Sequence, residues 1–236
     1  MTLIKFKHPA IELAELPFRI PPEGGHEYQS FNGQWYKSVT TFLGEAINSP
    51  GLDEWRANVG EEAANAATAR GGRRGTAVHK LLEAHLLNET IDYRRVMPVH
   101  LDLFQQIKNL LDLHLTEVYM LETAIYSDKY ELAGTPDLIG IWNGMLSIVD
   151  FKTANTEKRR KDVVKHFLQT AAYKILFGDT MNHDPKFNAI QLVVIVASQD
   201  SSKPQLFVEP ATVHVQEFDK LWREKHPAGK NYIDWI

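Results

Sequence analysis

Asp137, Asp150 and Lys152 are the residues of this chain whose types and spacing are best suited to chemistry. The two acids flank a pair of apolar, β-branched runs, Leu138-Ile-Gly-Ile-Trp142 and Met145-Leu-Ser-Ile-Val149, separated by Asn143-Gly144. Asn-Gly accepts the positive φ that a type I′ turn needs at both central positions, so the runs are predicted to form a two-residue hairpin. With Asn143 and Gly144 as the loop, Trp142 faces Met145 and, at the far end, Asp137 faces Asp150. Opposed residues carry Cβ atoms about 4.5–5.5 Å apart, and alternation puts Lys152 on the face of Asp150. Two opposed carboxylates among apolar strands repel each other and call for a cation between them. A divalent ion with oxygen ligands meets that need, and a lysine alongside is placed to polarise a water or offset developing negative charge.

Other elements must bring their residues to this hairpin. Tyr119 to Tyr126 reads as the preceding strand, joined to it by Ser127-Asp-Lys-Tyr130. A loop of two or four residues sets Glu122 opposite Thr135, on the face of Asp137 and Lys152, whereas an odd loop turns it to the other side. Gly75 to Glu83 opens a helix with Val78, Leu81, Leu82 and Leu86 on its apolar face, and it carries His79. Glu83, one turn on, either supports His79 or faces solvent. An alanine-rich helix over Leu52–Ala69 comes first and ends in Arg70-Gly-Gly-Arg73-Arg74-Gly75, read as a loop whose guanidinium groups meet phosphates or simply as a solvated linker.

Val99 to Val118 is an amphipathic helix. Lys158-Arg159-Arg160-Lys161 leads into a helix from about Asp162 to Phe177, stopped by Gly178, with Gln169 and Tyr173 one turn apart on the flank of its buried stripe. Asn188 to Ser198 is continuously apolar, as a strand buried on both faces would be. Short strands at Gln205–Val208 and Ala211–Val215 surround Pro210, a final helix starts near Glu217, and the apolar tail Asn231–Ile236 is expected to dock. Residues 1–36 read as a loop arm with one or two short strands, followed by a short helix capped by Ser38 or Thr40.

Taken in order, Gly134-Thr-Pro-Asp137, Asp150-Phe-Lys152 and Gln169-Thr-Ala-Ala-Tyr173 resemble the PD-(D/E)XK nuclease superfamily, specifically its RecB-like branch with a QxxxY helix. Gly75-Thr-Ala-Val-His79 resembles the first motif of that branch, and Ser38-Val-Thr is similar to the segment ahead of the nuclease core in the mitochondrial genome maintenance exonuclease group. The resemblance implies an α/β fold, a restriction-endonuclease-like αβββαβ core with a central mixed sheet flanked by helices. That core spans about residues 70–200 of a single domain over 1–236, with residues 1–69 as an N-terminal arm and helices and 201–236 as C-terminal strands and helix.

The resemblance also implies Mg²⁺ or Mn²⁺ held by His79, Glu122, Asp137, Asp150 and the backbone carbonyl of Phe151, with Asp137, Asp150 and Lys152 as the catalytic set. Gln169 would organise the site and Tyr173 lie close to nucleic acid, while Arg70, Arg73, Arg74, Lys158 and Arg159 would meet phosphates. The implied activity is exonucleolytic hydrolysis of DNA, with a preference for single strands or free ends. The same core also serves structure- or site-specific endonucleases, and a non-catalytic nucleic-acid-binding protein is a third reading, against which the intact Asp/Asp/Lys set stands.

Composition narrows the field. The 236 residues are 44% hydrophobic and 24% charged, the balance of a globular chain. Zero cysteines exclude disulfides, thiolate zinc sites and an iron–sulfur cluster, which some RecB-like nucleases hold. The formal charge of −4 means that any basic footprint for DNA is local. No apolar run approaches the ~18 residues of a membrane span, and the N-terminus does not read as a secretory signal or transit peptide. The expectation is a cytoplasmic protein of a bacterial or phage-infected cell, with no membrane partner.

Overall fold

The computed structural model describes residues 5–11, 13–47 and 50–226. In chain order the elements are β1 (Phe18–Arg19), β2 (Glu27–Gln29), β3 (Trp35–Ser38), α1 (Val39–Ala46), α2 (Pro50–Val59), α3 (Glu61–Leu86), α4 (Pro98–His114), β4 (Leu115–Leu121), β5 (Ile125–Ser127), β6 (Leu132–Gly134), β7 (Leu138–Trp142), β8 (Met145–Ala154), α5 (Val164–Thr180), β9 (Gln191–Ser198), β10 (Gln205–Pro210) and α6 (Ala211–Lys225). The strands form two mixed sheets, ordered β10-β9-β8-β7-β4 and β1-β2-β3-β6-β5. This is the α/β architecture expected of a restriction-endonuclease-like core.

The Asn-Gly hairpin has the expected register, with Trp142 opposite Met145 and Leu138 opposite Val149. β8 then runs parallel to β9, and both are buried on two faces. Alternation along β8 sends Leu146 and Ile148 into a core with α1, α5 and α6, and Val149 and Phe151 into a second core with α3 and α4. Asp150 and Lys152 therefore share the α5 face of the sheet.

Several boundaries depart from the sequence reading. The alanine-rich run is two helices, broken at Gly60, whose φ of 84° suits glycine alone. Arg70 to Gly75 is not a loop but the middle of α3. Glycine costs a helix interior about 1 kcal/mol relative to alanine, and buried Ala64 before the segment and Val78, Leu82 and Leu86 after it anchor the helix on both sides. α4 stops at His114, because Leu115 already pairs with Trp142 as the first residue of β4. α5 continues through Gly178 to Thr180, where Thr180 donates to the Tyr126 carbonyl at 3.3 Å and Asp179 accepts from the Ser127 hydroxyl.

Ala211–Val215 is the start of α6 rather than a strand. Its Ala211, His214, Phe218 and Trp222 recur at helical spacing and are buried, which outweighs the β-branched Thr212, Val213 and Val215. The arm holds three short strands, and Ser38 caps α1 by accepting from the backbone N–H of Thr41 at 3.1 Å. The tail Asn231–Ile236 lies outside the described residues.

The largest departure concerns the expected three-stranded meander. The chain leaves the first sheet at Glu122, which takes φ 46°, enters the second as β5 and β6, and returns at Asp137. β5 pairs with β6 as Ile125 opposite Gly134, so the expected pairing of Glu122 with Thr135 does not form. The two carboxylate-bearing positions thus lie where the sheets part.

Candidate active site

Asp137 sits one residue before β7, and its Oδ2 accepts the backbone N–H of Phe151 at 2.6 Å. That bond ties it beside Asp150, the residue before Phe151. Glu122, at the end of β4, is linked to Asp137 through the backbone, its N–H donating to the Asp137 carbonyl at 3.3 Å. His79 arrives from α3 on the other side of the sheet. Its Nδ1 lies 3.5 Å from Glu122 Oε1 and 3.6 Å from Asp137 Oδ1, and its Nε2 is 3.0 Å from the Phe151 carbonyl. One ligand atom each from His79, Glu122 and Asp137 falls within 4.8 Å of the others. Glu122 reaches this cluster from the break in its strand rather than from the ladder position expected for it.

Asp150 is not one of those three mutually close ligand atoms but neighbours Asp137, and it is 1% exposed. Its Oδ1 accepts from Lys152 Nζ at 2.5 Å, while its Oδ2 is buried with no hydrogen-bond partner among the described residues. A buried carboxylate oxygen without a partner is costly, and a cation is the group that relieves it. Three carboxylates and one imidazole form an oxygen-rich donor set of the kind Mg²⁺ and Mn²⁺ prefer. The residues present therefore fit a divalent ion.

The electrostatics point the same way. Burial and the neighbouring Asp150 push the Asp137 carboxyl above its usual range, against the pull of His79 and Lys152. Burial lowers the His79 imidazole, but Asp137 and Glu122 overcome it and carry the group up to about 9. Lys152 is likewise raised, burial being outweighed by Asp150 and Asp137, so its ammonium stays charged. Without a metal, the proton on His79 and the charge of Lys152 offset the excess negative charge of the site.

α5 closes the site from the face of Asp150. Gln169 Nε2 donates to the Tyr173 hydroxyl at 3.4 Å, and burial raises the phenol, with Asp137 adding to the shift. The Tyr173 ring lies against Gly134, where a Cβ would meet its Cε1 at 2.9 Å. His166, three residues before Gln169 on the same helix, was not singled out from the sequence. Burial takes its imidazole down to about 4 despite the attraction of Asp150, so it is a neutral ring beside two charged groups. The i, i+3, i+7 spacing of His166, Gln169 and Tyr173 was the available signal. A second addition is Tyr28 of β2, whose hydroxyl lies 3.1 Å from Thr135 Oγ1.

The basic residues divide into held and unheld. Arg74 is half-buried and is tied to the end of β8, bonding the Asn155 side chain and lying 3.4 Å from Thr153 Oγ1. Arg70 and Arg73 are exposed on α3 and form no ion pair among the described residues. With Arg74, His100 and Asn155 they line a cavity of about 420 Å³. Arg159 is held by Asp162 at 3.0 Å, and the backbone of Lys158 bonds the Gln205 side chain. Position alone does not set Arg159 free for a phosphate.

No helix among the described residues is long and apolar enough to cross a membrane. No curated protein matches the chain. A solved structure titled "Crystal structure of SSO0001" aligns at TM-score 0.39 and 15% identity, over 76% of this chain and 73% of that one. A family model for the PD-(D/E)XK nuclease superfamily matches residues 91–228, a stretch that contains Glu122, Asp137, Asp150, Lys152, Gln169 and Tyr173. That match covers more than half of the chain, and the protein belongs to the PD-(D/E)XK nuclease superfamily.

Proposed function

We propose that this protein is a divalent-metal-dependent DNA exonuclease that acts on single strands or free ends. The observation that carries the metal dependence is the unpartnered, buried Oδ2 of Asp150 beside the Lys152 ammonium, next to the His79, Glu122 and Asp137 cluster. Asp137, Asp150, Glu122 and His79 are the residues that would hold Mg²⁺ or Mn²⁺, with the Phe151 carbonyl close by. When bound, the ion supplies Lewis acidity at the phosphodiester and lowers the pKa of a water.

The chain's own groups do the rest. Lys152, kept cationic by Asp150 and Asp137, offsets the charge that develops on the phosphorus oxygens. Asp137 holds the Phe151 backbone, and with it the start of the Asp150 and Lys152 segment, in place. His79 keeps Nδ1 toward the carboxylates by directing Nε2 at the Phe151 carbonyl. Gln169 and Tyr173 wall the site on the α5 side.

The preference for ends is supported by the resemblance of Ser38-Val39-Thr40, the junction of β3 and α1, to the mitochondrial exonuclease group. End-labelled linear and closed circular single strands, incubated with and without Mg²⁺, test the reading. Loss of the linear strand alone, only with metal and not in Asp150→Asn, is the expected result. Cutting of the circle would make the protein an endonuclease on the same core, and binding without cutting of either would make it a non-catalytic binder.

A further inference from the structure

The N-terminal strands carry a row of aromatic rings whose outer member is exposed to solvent. The register places Phe18 of β1 opposite Tyr28 of β2, and Tyr28 opposite Tyr36 of β3, so three rings share one face of the second sheet. Phe18 is 51% exposed, and Ile20, two residues on, is 65% exposed. The Phe18 ring lies 5.2 Å from Tyr28 and 5.3 Å from His26, which is itself exposed. Tyr28 reaches Thr135 through its hydroxyl, and Thr135 is two residues before Asp137. The row thus starts in solvent at the edge strand β1 and ends beside the carboxylate cluster.

The charged side chains of these strands lie on the opposite face. Arg19 pairs with Glu27 and stacks 4.1 Å over the Trp35 ring. A row of rings that opens to solvent at Phe18, is half-buried at Tyr28 and leads toward a phosphodiester-cleaving site suits flat apolar groups that stay connected to phosphates. Unpaired nucleotide bases have that chemistry, and they stack on aromatic rings with little regard to sequence. Bases in a duplex are already stacked on one another and do not offer their faces.

We propose that β1 and β2 form a base-stacking platform for a single-stranded segment running into the metal site, with Phe18 as its outer ring, His26 beside it and Tyr28 as the link to Thr135. This rests on the nuclease reading above and names the form of substrate the site receives.

The test measures binding in EDTA, where no hydrolysis is needed, by fluorescence anisotropy at fixed salt. The probes are a labelled oligothymidylate, an abasic deoxyribose-phosphate strand of the same length, and a duplex. Wild-type protein is expected to bind the base-bearing strand more tightly than the abasic strand or the duplex. Phe18→Ala should weaken binding of the base-bearing strand about tenfold, the scale of one lost base stack, and leave the abasic strand unaffected. Phe18→Trp should restore the difference. Equal ratios of base-bearing to abasic binding in wild type and Phe18→Ala would overturn the platform. So would no binding of either strand by wild type, or a change of sedimentation in Phe18→Ala with the ratio intact, which would mark a protein-contact surface instead. If wild type hydrolyses nothing while Phe18→Ala still loses its base preference, the nuclease reading fails and the platform stands. Hydrolysis by wild type with an indifferent Phe18→Ala sinks the platform alone.

Discussion

Gly134 and Tyr173 are in contact across the site: the ring of a helical tyrosine occupies the space where the glycine's side chain would be, 2.9 Å from Cε1 to the position of a Cβ. The glycine of the Gly-Thr-Pro-Asp run and the tyrosine of the Gln-x-x-x-Tyr run are therefore two halves of one packing arrangement, and that arrangement leads to Asp137. Tyr173 is 3% exposed, so its ring has little room to retreat. Gly134→Ala should destabilise the protein by about 1–3 kcal/mol, as overpacking does, and reduce turnover by displacing Asp137. Thermal unfolding together with kcat checks this, and an alanine variant with wild-type stability and turnover would remove the proposed coupling.

Asp150 and Lys152 form an ion pair in which the carboxylate helps to hold the ammonium charged. Asp150→Asn and Lys152→Ala should each lower kcat by about 10²–10³, the usual cost of losing one electrostatic contributor. Mn²⁺ should raise the melting temperature of the wild type, and Asp150→Asn should abolish that rise, since it replaces the carboxylate and its unpartnered buried oxygen by a neutral amide. A thermal shift that survives in the asparagine variant would place the ion elsewhere.

His79 sets the pH dependence of the metal-free protein. Its folded-state pKa, about 9, is above the ordinary imidazole value of 6.5, so its contribution to stability is fully present below about 6.5 and lost as the pH rises through 9. Each unit of displacement corresponds to ~1.4 kcal/mol at most. In EDTA, the stability difference between wild type and His79→Gln should therefore shrink between pH 6.5 and 9. Metal must displace the same proton, so the Mn²⁺-induced thermal shift should grow over that interval. A flat difference in EDTA would show that the imidazole is not held charged by Asp137 and Glu122.

Arg70 and Arg73, exposed and without ion pairs among the described residues, are the cations best placed for phosphate on α3. Replacing both by alanine should raise KM and flatten its dependence on log salt by about 0.7 per lost single-strand phosphate contact. Arg74→Ala should instead cost stability, because Arg74 braces the end of β8 through Asn155 and Thr153. An unchanged salt slope in the double variant would remove α3 from the nucleic-acid interface.

Much of this site was legible because its carriers are local. Asn143-Gly144 sets the hairpin register by turn chemistry, and the register brings Asp137 beside Asp150 without long-range information. Gln169 and Tyr173 follow from helical spacing. Long-range competition hid the rest. Arg70 to Gly75 looks like a loop by propensity, yet buried anchors on both sides hold it helical. Ala211 to Val215 looks like a strand by β-branching, yet Phe218 and Trp222 recruit it into a helix. Glu122 reaches Asp137 by a path other than the strand ladder, and a chain passing between two sheets leaves no periodic trace. His166 went unnoticed because a histidine among apolar helical residues gives no sign of which way it faces.

Glu122 is one of the few non-glycine residues with positive φ, in a left-handed conformation that costs most L-residues roughly 1–2 kcal/mol. Asparagine tolerates that backbone better, and glycine has no penalty there at all. At this position, then, durability of the fold and possession of the carboxylate are in opposition: Glu122→Asn and Glu122→Gly should give proteins that melt no earlier than the parent yet hold their ion more loosely. A chain optimised for endurance alone would discard the acid.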